Sequence, residues 1–217
     1  PGLAAGLAVM IHGTQVSSLP TPTDFARAHA RGVNNAGLIV GDADNGTNPC
    51  SWLNVDSVAV KWTAGVPSPL PMPAAGGVWS TSATDINDRG EIVGLGVRAD
   101  WTFGPVLWRD GGDDAVFLTD LVRDSGGMMT IERIDAINNK GQMVGWGYQA
   151  GTLNIVPVVI TPCWGDFNGV GGATVQDVFA FLDAYFSAAP RADVDRSGVV
   201  GPDDLFAFLA SYFSGCP

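Results

Sequence analysis

The chain carries one loop of twelve residues twice: Asp166-Phe-Asn-Gly-Val-Gly-Gly-Ala-Thr-Val-Gln-Asp177 and, 27 residues further on, Asp193-Val-Asp-Arg-Ser-Gly-Val-Val-Gly-Pro-Asp-Asp204. Aspartate stands at the first and twelfth positions of both copies, glycine at the sixth, and Asn168 or Asp195 at the third. Each loop runs into a segment whose apolar residues recur at i, i+3, i+4 and i+7, the spacing of one helical face. The sequence therefore predicts two loop–helix units of the same design.

The oxygen-bearing residues of both loops have the spacing of a calcium site. Calcium takes roughly six to eight oxygen ligands, and an EF-hand loop supplies them from positions 1, 3, 5, 7, 9 and 12 around a glycine at position 6. Val170 leaves position 5 of the first loop without a side-chain oxygen, so we expect two Ca²⁺ sites, the second of them stronger. The predicted ligands are Asp166, Asn168, the Gly172 carbonyl, Thr174 and Asp177, then Asp193, Asp195, Ser197, the Val199 carbonyl and Asp204. The alternative for a single loop is an acidic turn without metal.

A second set of aromatic residues lies beside the apolar face of each helix. The faces that carry Phe181 and Phe208 are predicted to close on each other, whereas four further phenylalanines lie about 90–110° round the helices. These four residues either widen the core or form a partner surface, because a unit of about 55 residues buries little area. The predicted partner surface comprises Val175, Gln176, Phe179, Phe186, Pro202, Asp203, Phe206 and Phe213.

The paired pattern D-x-[ND]-x-x-G-x-x-x-x-x-D, with one helix after each copy, resembles the type I dockerin domain, a calcium-dependent module that docks into cohesin domains. The Gly-Asp-Phe-Asn-Gly opening, the aromatic pair that ends each helix and the flanking cysteines are similar to dockerin-type C-terminal domains of planctomycete secreted proteins. The resemblance implies an EF-hand-like fold, bound Ca²⁺ and a cohesin-like or cell-surface protein partner. Loop positions ten and eleven, Val175-Gln176 and Pro202-Asp203, depart from the polar pairs usual in that family.

The net charge limits the kinds of partner that we expect, and the cysteines indicate the cellular compartment. A formal net charge of −11 argues against a nucleic-acid partner, and no apolar run is long enough for a membrane span. Cys163 and Cys216 bracket the two loop–helix units, and a disulfide between them is expected to stabilise the fold by about 3–4 kcal/mol. Such a bond implies an extracellular or cell-surface location. Cys50 is left as a spectator or pairs with another segment.

Residues 1–160 carry a looser repeat. Its three copies are Gly32-Val-Asn-Asn-Ala-Gly-Leu-Ile-Val-Gly41, Asp85-Ile-Asn-Asp-Arg-Gly-Glu-Ile-Val-Gly94 and Ala136-Ile-Asn-Asn-Lys-Gly-Gln-Met-Val-Gly145. A turn with Asn and Gly between apolar strands predicts a hairpin. A second signature, [AP]-V-x-[WI], alternates with the first and predicts a third strand. Its earliest copy lies near the N-terminus, so Leu7–Leu19 is interpreted as the tail of a truncated repeat rather than as a signal peptide.

Both signatures together resemble the HAF-type extracellular repeat, which implies a β-propeller-like domain. A unit of about 50 residues cannot bury its own face and must stack on neighbours, but three units and a fragment are fewer than the roughly four to eight blades of a closed propeller. We therefore expect a mixed fold class. A partial, β-propeller-like all-β repeat domain spans residues 1–160, and a small all-α, EF-hand-like domain spans residues 163–217.

No sequence pattern points to a catalytic centre. The chain has two glutamates, Glu91 and Glu132, and Glu91 takes a hairpin position that holds Leu38 in another repeat. No zinc spacing, nucleophile elbow or phosphate-binding loop occurs. Trp79, Trp101 and Trp146 are candidates for a sugar-stacking platform, although tryptophan in such repeats more often lies in the core.

The sequence thus favours a secreted, non-catalytic protein in which a calcium-dependent docking or anchoring module is attached to a β-repeat scaffold or ligand-binding domain. Two alternatives stay open. In one, the chain belongs to a polysaccharide-degrading system, with a glycoside hydrolase part further upstream. In the other, a carbohydrate- or protein-binding propeller is anchored to the cell surface by the calcium unit.

Overall fold

The computed structural model describes residues 9–12, 15–46, 56–74, 77–109, 112, 114–121, 129–169, 172–195 and 197–215. The chain divides into two compact units. The first comprises residues 1–138 and 143–159, and the second comprises residues 139–142 and 160–217.

The first unit is built from antiparallel strands. Hydrogen bonds join them in the orders β1-β2, β3-β4-β5-β6, β7-β8-β9-β10 and β11-β12-β13. The strands are β1 Val9–His12, β2 Gln15–Ser18, β3 Arg27–Val33, β4 Ile39–Asp44, β5 Val58–Thr63, β6 Val66–Pro69, β7 Val78–Ile86, β8 Ile92–Arg98, β9 Phe103–Arg109, β10 Asp114–Phe117, β11 Met129–Ile137, β12 Met143–Gln149 and β13 Ile155–Ile160, with a helical turn, α1, at Leu118–Leu121.

The hairpins β3–β4, β7–β8 and β11–β12 are structural copies of one another. Each first strand has a bulge at the same place in the repeated motif, between Ala30 and Gly32, between Ala83 and Asp85, and between Ile134 and Ala136. Equal bulge positions give the three hairpins the same bend and the same register. The repeat found in the sequence is therefore also a repeat of backbone structure.

The backbone structure explains why both of these positions in the hairpin motif are glycine. The first lies in the turn with a positive φ, which is 77° at Gly37, 80° at Gly90 and 71° at Gly141. The second, at the end of the motif, lies opposite the bulge. A Cβ atom on Gly94 would overlap the backbone carbonyl oxygen of Ser82, and Gly41 and Gly145 are equally crowded. These positions accept only glycine without a shift of the backbone.

Neighbouring repeats share one core. Val40 of the first hairpin packs in the same buried cluster as Ala83, Ile86 and Ile92 of the second. The tryptophan of the third-strand signature belongs to the core, because both copies, Trp62 and Trp108, are fully buried. Their indole N–H groups donate equivalent hydrogen bonds of 2.8 Å, to the carbonyls of Pro20 and Pro71.

The motif asparagine links each turn to the next repeat. The Asn34 side-chain amide donates to the Asn87 carbonyl (3.1 Å), and the Asn87 amide donates to the Asn138 carbonyl (3.0 Å). Asn34 and Asn87 are buried, so these hydrogen bonds satisfy polar groups that would otherwise be left without partners away from water. The ladder fixes the spacing between successive turns.

The second unit contains α2 (Val175–Phe186), a 3₁₀ turn (Pro190–Ala192) and α3 (Pro202–Ser214). Phe181 and Phe208, one from each helix, stack with ring centroids 4.2 Å apart and planes 3° apart. Val178, Leu182 and Tyr185, with Leu205, Leu209 and Tyr212, pack round this pair, as their helical spacing predicts.

The fold class expected from the sequence is wrong. The chain is mostly β, with antiparallel sheets and two short helices, and a separate small all-α domain at the C-terminus is not supported. The two helices span 12 and 13 residues, and side-chain-to-backbone hydrogen bonds rather than helical ones hold the loops before them. The described strands also form no closed propeller, because two four-stranded sheets are followed by a three-stranded sheet and preceded by a two-stranded one.

Replacement of the bulge-facing glycine is expected to be more harmful than replacement of a turn glycine. We expect Gly94→Ala to lower the free energy of unfolding by roughly 3 kcal/mol, because the new methyl group meets backbone rather than a movable side chain. Gly65→Ala is the matched control, since Gly65 has a φ of 80° but open space around its Cβ position; it should cost only about 1 kcal/mol. Urea unfolding followed by tryptophan fluorescence measures both. Equal losses would contradict this account of the motif.

Candidate metal centre

Three carboxylates come together in the second loop. Asp193, Asp195 and Asp204 each offer an oxygen that lies within 4.8 Å of the other two. Asp193 and Asp204 are buried, and Asp195 is exposed. Like charges at this separation repel one another unless a cation neutralises them. Carboxylate oxygens in this number and spacing are the ligands that a hard cation such as Ca²⁺ prefers.

Backbone N–H groups of the loop orient the first two carboxylates. Asp193 accepts hydrogen bonds from the N–H groups of Ser197 and Gly198, each at 2.9 Å. Asp195 accepts a second hydrogen bond from the Ser197 N–H, also at 2.9 Å. The chain turns at Gly198, where φ is 90°. Glycine at position 6 thus has the role that the spacing of the loop predicts.

The third carboxylate joins the loop to the helix. Asp204 lies in the first turn of α3, and its Oδ1 accepts from the Asp195 N–H (2.9 Å) while Oδ2 accepts from the Gly201 N–H (2.8 Å). Gly201 is the N-cap residue. Asp204 therefore caps the helix and fixes the centre of the loop with the same side chain.

The first loop repeats this arrangement at Asp177. Its Oδ1 accepts from the Asn168 N–H (2.9 Å), and its Oδ2 accepts from the N–H and the hydroxyl of Thr174, both at 2.8 Å. Burial raises the pKa of Asp177, but these hydrogen bonds outweigh it and hold the pKa below the ordinary value. The hydrogen bond from the Ser197 N–H likewise lowers the pKa of Asp195. Both side chains are carboxylates at neutral pH.

One oxygen of the first loop has no partner. Asp166 Oδ2 accepts from the Gly172 N–H (3.1 Å), whereas Oδ1 is buried and makes no hydrogen bond within the described part of the chain. A buried polar atom left without a partner costs about 1–3 kcal/mol, and more when it is charged. A bound cation would supply a partner for this oxygen. The predicted gap at Val170 lies outside the described residues, as does Gly171.

Three of the other predicted ligand oxygens, those of Ser197, Val199 and Thr174, have protein partners. The Ser197 hydroxyl donates to the Val199 carbonyl (3.1 Å), so two predicted ligand oxygens are adjacent. The Thr174 hydroxyl is bonded to Asp177. The relative strength of the two sites stays a prediction.

All eight residues of the predicted partner surface are exposed. The four phenylalanines lie outside the core with matched exposure in the two helices: 67 % for Phe179 and Phe206, and 80 % for Phe186 and Phe213. Val175, Gln176, Pro202 and Asp203 lie in the first turns of the helices. The phenylalanines therefore do not widen the core, although an exposed face alone does not identify a partner.

Cys163 is disulfide-bonded. Cys216 and Cys50 lie outside the described residues, so the pairing of Cys163 with Cys216 stays a prediction.

The first unit holds an ionic cluster that the sequence did not suggest. Arg27 pairs with Asp44 (2.7 Å), Arg31 pairs with Asp42, and His29 Nδ1 lies 3.2 Å from Asp42. The three oxygen or nitrogen ligands of His29, Asp42 and Asp44 lie close enough for a metal. Two guanidinium groups already neutralise the two carboxylates, so the cluster is an ion-pair network. The sequence pattern that could have indicated these ion pairs is Arg-x-His-x-Arg on β3 opposite Asp-x-Asp on β4.

No protein-family model, curated protein or solved structure matches the chain. None of the described helices is both long enough and apolar enough to cross a membrane. The dockerin-like and HAF-like features thus stay resemblances of motif and spacing.

Loss of one cap should destabilise the second unit even without metal. We expect Asp177→Asn, measured in chelator, to lower the free energy of unfolding by about 1.5–3 kcal/mol, because an amide cannot replace a charged acceptor of three hydrogen bonds. Asp183→Asn is the matched control, since Asp183 is an exposed aspartate of the same helix. Equal effects of the two changes on hydrogen–deuterium exchange in α2 would contradict the role of the cap.

Proposed function

We propose that this chain is a secreted, non-catalytic protein in which the two loop–helix units form a calcium-ordered docking module on a β-repeat scaffold. The observation that carries the proposal is the group of three carboxylates at Asp193, Asp195 and Asp204, whose oxygens lie within 4.8 Å of one another. The unpartnered, buried oxygen of Asp166 supports a second cation site.

Calcium, when bound, supplies the positive charge that offsets the repulsion among these carboxylates. Asp193, Asp195, Ser197, the Val199 carbonyl and Asp204 would hold it in the second loop. In the first loop, the ligands would be Asp166, Asn168, the Gly172 carbonyl, Thr174 and Asp177.

The protein's own contacts connect loop order to helix order. Asp204 and Asp177 each bond both the centre of a loop and the N-cap of a helix. A loop that loses its shape therefore also loses the fixed start of its helix. Because Phe181 and Phe208 stack across the two helices, disorder in one loop–helix unit weakens the packing of the other.

The exposed phenylalanines are the surface that this order would present. Phe179, Phe186, Phe206 and Phe213 are on the helices that the loops cap. Aromatic side chains supply large contact area in protein interfaces, and a cohesin-like or other cell-surface protein is the partner that we propose. The disulfide at Cys163 supports an extracellular location.

Calcium titration of the full chain tests the module. We expect calorimetry to show calcium binding, and we expect hydrogen–deuterium exchange in α2 and α3 to slow when calcium is added. At a calcium concentration of 100 times Kd, the stabilisation should be about 2.7 kcal/mol. Asp204→Ala should abolish binding to the second loop, and Asp193→Ala should weaken it severely, whereas Asp183→Asn should leave binding unchanged. Absence of binding heat, together with equal exchange in calcium and in chelator, would refute the proposal.

Glycan binding by the first unit is a second candidate function. Trp79 and Trp101 are both exposed, and their rings meet edge to face with centroids 5.3 Å apart. Trp101 has a φ of 64°, a conformation that costs energy for a residue other than glycine. Exposed indole rings bind the apolar faces of sugars, so the pair favours this candidate.

A glycan-binding measurement distinguishes the two candidates. We expect any glycan that quenches tryptophan fluorescence of the chain to bind equally in calcium and in chelator, and to lose at least about tenfold in affinity in Trp101→Ala. Phe103→Ala is the control, because Phe103 is an exposed aromatic residue on β9, the strand that follows Trp101 in the sequence. Binding that disappears in chelator would assign the glycan to the second unit instead.

A further inference from the structure

Two irregularities in the backbone of the second repeat each involve a tryptophan. The pairing of β7 with β8 is interrupted between Val78 and Ser80, so Trp79 is the extra residue of a β-bulge. The matching residue of the third repeat, Thr130, pairs regularly with Tyr148, so that repeat has no bulge at this position. A bulge redirects the side chain of its extra residue out of the regular alternation of the strand. The second repeat therefore departs from the third where it carries Trp79.

The second irregularity is the backbone of Trp101. This residue ends the turn of residues 99–101, which is closed by a hydrogen bond from the Arg98 N–H to the Thr102 carbonyl (2.9 Å). Its φ of 64° lies in the left-handed region, and the last position of a three-residue hairpin loop normally holds glycine. The other non-glycine residues with a positive φ in the described part of the chain are alanines. A strained backbone beneath so large a side chain indicates that the indole has a function.

Together the two irregularities bring Trp79 and Trp101 into contact at the surface. Their ring planes are 82° apart, so the two indoles form a corner rather than a flat platform. Trp79 is 49 % exposed and Trp101 is 56 % exposed. We call this pair of residues the tryptophan corner. Its apolar ring surfaces are open to a ligand that can contact both rings.

The turn also places polar groups next to the tryptophan corner. Asp100 is exposed, and its carboxylate accepts hydrogen bonds from the Thr102 hydroxyl (2.6 Å) and N–H (3.0 Å). These two hydrogen bonds lower the pKa of Asp100, so the group is charged at neutral pH. The guanidinium of Arg98 is already engaged, because its central carbon lies 3.6 Å from the centroid of the Phe117 ring. The turn thus offers a ligand a hydrogen-bond acceptor and a negative charge.

Building on glycan binding as the second candidate function, we propose that the tryptophan corner binds uncharged glycans and that Asp100 accepts hydrogen bonds from their hydroxyl groups. A pyranose ring supplies both an apolar C–H face for an indole and hydroxyl donors for a carboxylate. An acidic glycan would place its own carboxylates beside Asp100, on a chain with a formal net charge of −11. A proline-rich peptide also packs on exposed aromatic rings, but proline has no N–H group to donate to Asp100.

Calorimetry on the full chain with a panel of ligands tests the class of ligand. The neutral probes are cellohexaose, laminarihexaose and mannohexaose, and the others are hexagalacturonate and a proline-rich peptide. We expect a neutral probe to bind at least about tenfold more tightly than hexagalacturonate and the peptide, with equal affinity in calcium and in chelator. Tighter binding of hexagalacturonate would overturn the proposal but leave glycan binding in place. Tighter binding of the peptide, or no binding of any glycan, would overturn both.

The variant Trp101→Gly separates a binding role from a structural one. Glycine adopts a positive φ without strain, so we expect a melting temperature at or above that of the wild type. Affinity for the neutral glycan should nevertheless fall at least about tenfold. Ala64→Gly is the matched control, because Ala64 is exposed and has a φ of 50° in another turn; its glycan affinity should not change. A lower melting temperature of Trp101→Gly, or unchanged glycan affinity, would overturn the proposal.

A second variant tests the carboxylate without removing an aromatic ring. Asp100→Asn keeps an acceptor for the Thr102 hydrogen bonds but loses the negative charge, and hydrogen bonds to a charged acceptor are the stronger ones. We expect it to fold as the wild type does, since Asp100 is exposed, and to weaken binding of the neutral glycan at least about threefold. Unchanged affinity would show that Asp100 does not contact the ligand, and would overturn its part in the site.

Discussion

The second unit depends on one carboxylate in the first turn of each helix. Asp177 and Asp204 each accept backbone hydrogen bonds from the third and ninth positions of the preceding loop, at 2.9 Å and 2.8 Å in both copies. The same side chain therefore satisfies the N-terminus of a helix and closes a loop. These contacts place the other carboxylates of the second loop within reach of one cation. Loop, helix and candidate metal centre are consequently one cooperative structure rather than three separate features.

The first unit is stabilised in a different way. Its hairpins cannot bury their own apolar faces, so they stack on one another. The motif asparagine fixes this stacking, because its side-chain amide donates a hydrogen bond to the next turn. The bulge and the glycine opposite it set the bend that brings successive hairpins into contact. Val40 then packs on the following hairpin. Only a few positions of the repeat are restricted by the backbone, so the other positions can vary. Glu91 and Leu38, for example, occupy the same motif position in two repeats.

Local features could be predicted from the sequence, whereas features that depend on how distant strands and sheets assemble could not. The positions of Asp193, Asp195 and Asp204 follow from ligand spacing within twelve residues, and the hairpins follow from Asn–Gly turns, because both are short-range. The predicted fold class was wrong because a local motif does not determine how the elements of the whole chain assemble into sheets and domains. The ion pair between Arg27 and Asp44 was missed for a related reason: the alternating charges of β3 and β4 are visible in the sequence, but the bulged pairing of the two strands decides which residues lie opposite each other.

The two duplications in this chain have opposite consequences for assembly. In the second unit, two copies face each other, so Phe181 stacks on Phe208 and each copy covers the other. The outer residues of this pair, including Phe179 and Phe206, stay exposed. In the first unit the copies follow one another in the same direction, so each repeat covers the previous one and offers a new face in turn. Val40 is accordingly buried among residues of the next hairpin, Ala83 and Ile86, rather than among residues of its own hairpin alone.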